Sequence, residues 1–302
     1  MSVAEVESRA LELEAPSGLW KEAWLRLRKN PGALLGFGLV AAFALVAIFA
    51  PLIAPFDPRA QDIGALQGRC CPGPSAEHWF GLDDLGRDEF SRVVYGARYS
   101  LVIGVVAVTV GLTFGLLLGA TAGYVGGAVD SVIMRFVDVM LSIPGLLLAI
   151  GIVAMLGPGI VQIMIAVGVT QIPIFARLLR GSILAQRESD FVLAARSVGV
   201  PRRTILASHI LPNSISPVIV QGTLAMAVAI IDVAGLGFLG LGPQDPSTPE
   251  WGTMLTNTVR YLQTAPHLAI IPGVAIVLSV LGFNLIGDGL REALDPKLRG
   301  RG

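Results

Sequence analysis

The sequence predicts an all-α membrane protein with six transmembrane helices, and two observations support that prediction. Hydrophobic residues make up 53% of the 302-residue chain and only 15% are charged, which leaves too little charge to cover a water-exposed surface. The apolar residues also gather into runs near the length of about 20 residues that a helix needs to cross a bilayer. In lipid such runs satisfy their backbone hydrogen bonds as helices, and the alternating strands of an outer-membrane barrel are absent.

The first predicted span stands apart from the other five, because the longest polar insertion, residues 55–98, follows it. This separation suggests an added N-terminal helix in front of a five-helix domain at 99–290. The fourth span is short and the fifth is long. In chain order the predicted spans are 33–54, 100–123, 132–156, 159–176, 214–241 and 267–287.

Charge predicts that both termini face the cytoplasm. The N-terminus is acidic and amphipathic and lacks the features of a cleaved signal peptide. With six spans, one side of the membrane carries fifteen Lys and Arg residues and the other carries six. The positive-inside rule places the richer side in the cytoplasm. That side comprises an N-terminal tail at 1–32, a turn at 124–131, a loop at 177–213 and the end of the chain, with a C-terminal tail at 291–302.

Composition also excludes several kinds of site. Lys plus Arg and Asp plus Glu both number 22, so no excess of positive charge points to nucleic acid. The three histidines are scattered, without the spacing of metal ligands. The phosphate-binding loop of ATPases has the pattern Gly-x-x-x-x-Gly-Lys-[Ser/Thr], which needs a lysine in the middle of the chain. The three lysines of this chain all lie near its ends. The chain is therefore expected to be a non-catalytic subunit without a cofactor or metal of its own.

The outer loop contains two further features. Its only cysteines, Cys70 and Cys71, are adjacent; they can close a strained local ring, pair with another subunit or remain thiols. A compact charged stretch follows, which either forms a solvated helix cap of little energetic value or is a docking surface for another protein; the resemblance given below implies a binding protein or a partner permease there. Its candidate docking residues are Asp83, Asp84, Arg87 and Asp88.

The loop at 177–213 is predicted to form two helices separated by a break. Residues 181–199 show helical periodicity. Gly199 is a natural left-handed stop, and Pro201 follows at the usual distance. A second short helix is expected to start near Arg202 and to run into Pro212, after which the chain enters the membrane again. The result is an L-shaped helix pair near the membrane surface.

The stretch AARSVGVPRRTILASHILPN resembles the signature of the integral-membrane subunits of ABC importers. In that signature Glu-Ala-Ala is followed after three residues by Gly, and after nine more by a residue that opens x-Leu-Pro. The resemblance implies that this segment is a coupling helix that docks into a groove of a separate ATP-binding subunit. Leu193 replaces the leading Glu of the family, so any salt bridge of that Glu is lost. The matching positions are Ala194, Ala195, Gly199, His209, Leu211 and Pro212.

Other stretches resemble the C-type permease subunit of the dipeptide, oligopeptide and nickel importers. They are HWFGLDDLGRDEFSRVVYGARYSLVIG, MRFVDVMLSIPGLLLAI, GLGFLGLGPQDPSTPEWGTML and NLIGDGLREALDPKLR. The resemblance covers most of residues 30–300 and implies the type I ABC importer transmembrane fold with an extra N-terminal helix, in the bacterial cytoplasmic membrane. The implied partners are a homologous second permease, two ATP-binding subunits and an extracytoplasmic substrate-binding protein. ATP and Mg would be bound by the partner ATPase subunits.

Polar residues inside the predicted spans are candidates for a translocation pathway or a gate, because charge is expensive in the membrane. Arg135 and Asp138 lie three residues apart and are expected to pair on one helical face. Asp232 is the leading candidate, although sequences of the family tend to have an acid one position later, at Val233 here. Asn284, in the last span, is a further candidate.

The resemblance therefore implies a permease subunit that moves di- or oligopeptides, coupled to ATPase subunits through residues 189–213. An alternative cargo is nickel or another chelated metal. An alternative class is a proton-coupled secondary transporter with Asp232 as the proton carrier. A purely structural membrane protein would leave the spacing from Ala194 to Pro212 unexplained.

Overall fold

A computed structural model describes residues 19–66 and 70–294 of the chain. Within these residues the secondary structure is helical, with one isolated bridge between Leu82 and Asp88 and no strand. The predicted tails at 1–32 and 291–302 lie partly outside the described residues, because the structure describes nothing before residue 19 or after residue 294.

The N-terminal part of the fold consists of α1 (Leu19–Leu27), α2 (Pro31–Ile48) and the single turn α3 (Ala50–Ile53). Asn30 caps α2: its side chain accepts a hydrogen bond from the Ala33 amide at 3.0 Å, and Pro31 starts the helix, where a missing N–H costs nothing. α2 packs against the last helix, α12 (His267–Leu294), through Gly36. A Cβ on Gly36 would lie 2.8 Å from the Gly282 carbonyl oxygen.

The centre of the fold is a pair of long helices, α4 (Glu89–Val125) and α7 (Ile160–Arg187). Four glycines spaced by four residues form a ridge on α4 that faces α7. A Cβ on Gly119 would lie 2.5 Å from the Ala176 carbonyl oxygen, so the two backbones are in direct contact. The ridge consists of Gly111, Gly115, Gly119 and Gly123.

The third predicted span, 132–156, is not one helix. The structure has α5 (Gly127–Ser142) and α6 (Gly145–Leu156), which meet at an angle of 93°. The break falls at Ile143 and Pro144, where both backbones are extended. A proline cannot continue a helix, and it also disfavours helical backbone at the residue before it. Five of the described helices are long and apolar enough to cross a membrane, or six if this bent pair counts as one span.

The helix that contains the fourth predicted span, 159–176, is longer than that span. α7 continues through Arg187, so the first part of the predicted loop at 177–213 is helical. The predicted helix at 181–199 is accordingly two pieces, since a separate short helix, α8 (Asp190–Ser197), begins after Ser189.

Pro212 does not end a helix, contrary to the sequence-based expectation. α9 (Arg202–Ile205) runs through a π-helical turn at Leu206–Ile210 into α10 (Leu211–Leu236). The Leu211 amide donates to the Leu206 carbonyl, five residues back. Pro212, which has no N–H to donate, falls directly after this wider turn, where the ladder is already rearranged.

A second π-helical turn, Gly237–Leu241, leads from α10 into a loop, followed by α11 (Trp251–Thr258), a 3₁₀ turn at Val259–Tyr261 and α12. Trp251 is fully buried and locks α11 onto the bundle. Its indole N–H donates to the Val93 carbonyl at 3.1 Å, and its ring meets Phe43 of α2 edge-on at 5.7 Å between centroids. The main apolar core lies among α4, α6, α7 and α10 and extends under α8.

Candidate functional site

The segment that joins α7 to α9, residues 188–201, forms a sharp elbow around α8 and is called the elbow here. At its C-terminal end the Val200 amide donates to the Ala195 carbonyl at 3.1 Å and the Gly199 amide to the Arg196 carbonyl at 3.0 Å. Gly199 has φ +81°. This pattern is a Schellman C-cap, which requires a left-handed residue at the position after the cap. The predicted stop at Gly199 is confirmed.

The residues of α8 differ in burial: two pack into the core and the others are exposed. Val192 and Ala195 are buried and pack into the main core. The other seven residues from 190 to 198 are exposed, and four of them are apolar: Phe191, Leu193, Ala194 and Val198, of which Val198 is 78% exposed; the polar three are Asp190, Arg196 and Ser197. Ala194 and Ala195 therefore lie on opposite faces, and Leu193 adds apolar surface where the resembling family has Glu.

His209, Leu211 and Pro212 lie beyond the elbow, at the π turn and the start of α10. The His209 carbonyl accepts a hydrogen bond from the Asn213 amide side chain at 2.7 Å. The His209 Nδ1 atom is buried without a hydrogen-bond partner among the described residues. Ile205, just before the π turn, and Ile210, its last residue, share the main core with Val192 of α8. The coupling role of His209, Leu211 and Pro212 stays a prediction.

Ion pairs tie the bent helix pair to α7. Asp130 receives two hydrogen bonds from Arg180, at 2.5 and 2.6 Å, and Asp138 pairs with Arg177. The predicted pairing of Asp138 with Arg135 is wrong, because α7 places Arg177 against Asp138 and leaves Arg135 exposed. Asp138 thus lies at a helix–helix contact and Arg135 does not, and the Asp130–Arg180 and Asp138–Arg177 pairs link α5 to α7.

The other two pathway candidates are not brought together by any described contact. Asp232 is half-buried in α10, and Asn284 is half-buried in α12. Within the described residues neither side chain has a hydrogen-bond or ion-pair partner. Their role in translocation stays a prediction.

The charged stretch of the outer loop is a buried network and not a solvated cap. Asp83 pairs with Arg87 at 2.6 Å and with Arg92 at 3.4 Å. Asp88 accepts from the Ser91 amide at 2.7 Å, which caps α4, and contacts the His78 ring at 2.9 Å. The predicted docking surface is therefore wrong for Asp83, Arg87 and Asp88, whose exposed fractions are 7%, 2% and 3%.

This network connects distant parts of the chain. Arg87 donates through Nη1 to the Pro246 carbonyl at 2.6 Å, in the loop before α11. Arg92 donates to the Pro58 carbonyl at 3.3 Å. Asp84 alone of the four candidates is half-buried, and burial, with repulsion from Asp83 as the second cause, raises the pKa of its carboxyl. Contact with a binding protein remains a prediction for Asp84.

Glu250 is not among the predicted site residues, and it links α4, α10 and α11. Its carboxylate accepts from the Gly252 and Thr253 amides at 2.9 and 2.8 Å, capping α11, and from the Ser100 hydroxyl of α4 at 3.3 Å. A Cβ on Gly237 would lie 2.5 Å from the Glu250 Oε2 atom. Burial raises the pKa of this carboxyl. The available signal was an acid directly before a helix that starts Trp-Gly.

The sulfur atoms of Cys70 and Cys71 lie against each other in the structure, as the predicted local ring requires; pairing with another subunit and free thiols stay the predicted alternatives. Cys71 packs against Ala265 and Leu268 at the start of α12. Among the described residues, no group of three or more His, Cys, Asp or Glu side chains is arranged to hold a metal ion.

Comparison with known proteins places this architecture in a family. Residues 111–300 match the binding-protein-dependent transport system inner membrane component, and residues 18–68 match the N-terminal transmembrane domain of oligopeptide transport permease C. The chain therefore belongs to the family of inner-membrane permease subunits of ABC importers. Within it, the chain is a non-catalytic, multi-pass permease of the DppC/OppC group.

Two relatives illustrate the similarity. The dipeptide transport system permease protein DppC of Alkalihalophilus pseudofirmus is 50% identical over 281 residues, covering 93% of this chain and 90% of the relative. The glutathione transport system permease protein GsiD of Salmonella typhimurium is 51% identical over 282 residues, covering 93% and 91%.

Solved structures agree on the fold. An inward-facing form of the MetNI methionine ABC transporter has a TM-score of 0.56 at 18% identity and covers 68% of this chain and 96% of its own. An amino acid ABC transporter crystallised with histidines has a TM-score of 0.52 at 18% identity, with 67% and 94% covered. The type I importer fold is thereby confirmed, with α1 to α3 as the N-terminal addition.

Proposed function

We propose that this permease moves small peptides across the cytoplasmic membrane. Supporting this proposal, the two relatives described above are named for dipeptide and for glutathione transport. Glutathione is itself a tripeptide, so both names describe peptide cargo. The shared identity of about half the residues extends over 93% of the chain.

The coupling part of the proposal rests on one observation, the exposed apolar face of α8 beside a Schellman turn. An apolar helix face on a membrane protein's aqueous side is costly unless another surface covers it. A groove on an ATPase subunit is the proposed cover. Two ATPase subunits, each binding ATP and Mg, and a second homologous permease would complete the complex, and an extracytoplasmic binding protein would deliver the peptide.

In this proposal the α8 faces of the two permeases move with the ATPase subunits. The spans have two conformations, and the ATPase subunits touch each other through bound ATP in only one of them. ATP binding therefore shifts the equilibrium of the spans toward that conformation. The rigid attachment of α8 to the core through Val192 and Ala195 would pass that movement to α7 and α10. The proposed orientation has the elbow and both termini in the cytoplasm.

Reconstitution of the full complex with its ATPases and binding protein tests the cargo. We expect dipeptides or glutathione, delivered by the binding protein, to stimulate ATP hydrolysis, and a nickel chelate to leave it at the basal rate. Stimulation by the chelate alone would identify the metal alternative. Uptake that is independent of any ATPase and abolished by an uncoupler would instead support a proton-coupled transporter.

A further inference from the structure

A cavity of about 620 Å³ lies between the elbow and the C-terminal ends of α4 and α7. Three arginines from three different elements line it: Arg187 from the end of α7, Arg196 from α8 and Arg202 from α9. The other lining residues are Tyr124, Val125, Gly199, Val200, Ile205 and Ile210. In the described part of the chain, the lining thus carries three positive charges and no acidic residue.

The arginines are not neutralised by the chain's own groups in the part that the structure describes. Arg187 uses Nη1 to donate to the Gly123 carbonyl at 2.9 Å, which fixes its position and leaves further donors of its guanidinium free. The side chains of Arg196 and Arg202 are exposed and have no ion-pair partner among the described residues. A planar guanidinium is suited to bidentate binding of a phosphate group.

The remaining wall of the cavity is apolar. Val125, Val200, Ile205 and Ile210 supply aliphatic side chains, and Ile205 and Ile210 are continuous with the main core. The cavity also sits where α4 and α7 end. Both helices are longer than the roughly 20 residues that cross the hydrocarbon, and the proposal takes their shared end to lie at the level of the lipid headgroups. Cationic groups beside an aliphatic wall at that level match the phosphate and first methylenes of a phospholipid.

We propose that this cavity is a phosphate-ester site. Arg196 and Arg202 hold the phosphate oxygens, Arg187 adds a third positive charge, and the aliphatic wall receives the carbon chain attached to the phosphate. The position and the wall favour an anionic phospholipid as the source of the phosphate. A soluble phosphate ester would bind the arginines in the same way but would not use the aliphatic wall. Because the site lies on this chain alone, the proposal does not depend on the ATPase coupling proposed above.

The test uses the full chain purified in detergent and native mass spectrometry with added lipid. We expect phosphatidylglycerol to be retained and phosphatidylcholine, which has no net charge, to be retained much less. The double variant Arg196→Ala/Arg202→Ala loses two charge-assisted contacts, so we expect its phosphatidylglycerol affinity to fall about tenfold or more. Arg203→Ala is the matched control, because Arg203 is adjacent and exposed but does not line the cavity.

A parallel arm titrates inorganic phosphate into the same lipid-loaded samples. Displacement of the lipid by millimolar phosphate, lost in the double variant, would support the site with a soluble source. Equal lipid retention by the unaltered chain, the double variant and Arg203→Ala would overturn the proposal. Folding of each variant is checked by its thermal unfolding in the same detergent.

Discussion

Gly199 shows how a single residue determines the shape of the elbow. A Cβ on Gly199 would meet nothing within 4 Å, so the position does not need glycine for space. It needs glycine for its φ of +81°, which costs other residues about 1–2 kcal/mol. The strain would be relieved by unwinding the end of α8 and moving its exposed face.

We therefore expect Gly199→Ala to insert normally into the membrane but to reduce peptide-stimulated ATP hydrolysis severalfold in the reconstituted complex. Gly181→Ala is the control, since Gly181 lies in α7, is exposed and also has open space around it. In a helix this change stabilises by roughly 0.5–1 kcal/mol. Equal activity of the two variants would show that the elbow does not couple ATP hydrolysis to transport.

Glu250 predicts a pH dependence of stability with a definite sign. Burial raises the pKa of the Glu250 carboxyl in the folded chain. In the unfolded chain the pKa is about 4.3. Between these two pKa values the folded chain keeps a proton that the unfolded chain has lost. The contribution of Glu250 to the free energy of unfolding is therefore fully present below the pKa of the unfolded chain. It is lost as the pH rises toward the pKa of the folded chain, by up to about 1.4 kcal/mol per pH unit. Glu250→Gln keeps an acceptor oxygen for the α11 cap but does not titrate.

Thermal unfolding in detergent between pH 4 and 8 measures this effect. The unaltered chain is expected to lose stability with rising pH relative to Glu250→Gln, so that the two curves converge or cross toward high pH. Parallel curves over the whole range would mean that Glu250 is already ionised in the folded chain.

At the scale of single residues, the sequence predicts backbone conformation better than it predicts which side chains pair with each other. Gly199 was predicted correctly because the left-handed stop is a local property of the chain. The partner of Asp138 was not, because Arg177 is brought to it by a neighbouring helix. Asp83, Arg87 and Asp88 look like surface charges in the sequence and are buried because the loop before α11 covers them.

At the element scale, the glycine ridge on α4 determines how closely α4 and α7 pack. A leucine at Gly119 would place its side chain inside the backbone of Ala176. Such overpacking typically costs about 1–3 kcal/mol and here forces the two helices apart. We expect Gly119→Leu to lower the thermal stability in detergent and the yield of folded protein.

Gly151→Leu is the matched control for the ridge, because Gly151 is exposed on α6 and a Cβ added to it would have nothing within 4 Å. It should behave like the unaltered chain, apart from a small change in helix propensity. Comparable destabilisation by both variants would show that any large residue is damaging and that the ridge has no special role.

The long apolar helices were predictable because hydropathy alone identifies runs of that length. Their irregularities were not, since they depend on how the backbone ladder is completed locally. Pro144 ends α5 with a 93° bend, whereas Pro212 is absorbed by a π turn in a continuous helix. The two prolines have opposite effects, and no local pattern in the sequence distinguished them.

For the whole molecule, the bent pair α5–α6 decides the topology. If the pair crosses the membrane, there are six crossings and both termini lie on one side. If it returns to the side from which it came, there are five. The elbow and the C-terminus then lie on the side opposite the N-terminus, and the loop between α10 and α12 lies on the same side as the N-terminus. The second arrangement would move the arginines from Arg177 to Arg203 outside, against the positive-inside rule.

Single-cysteine labelling in a background of Cys70→Ser and Cys71→Ser separates the two arrangements. Ala76→Cys in the outer loop, Ser197→Cys in the elbow and Gln263→Cys before α12 are all exposed positions. With six crossings, a membrane-impermeant maleimide added to right-side-out vesicles labels Ala76→Cys and Gln263→Cys, while Ser197→Cys reacts only after permeabilisation. With five crossings, Ser197→Cys exchanges behaviour with Gln263→Cys, whereas Ala76→Cys is labelled in both cases and so reports vesicle orientation. The charge asymmetry predicts the first pattern, and the second would remove α8 from any cytoplasmic ATPase.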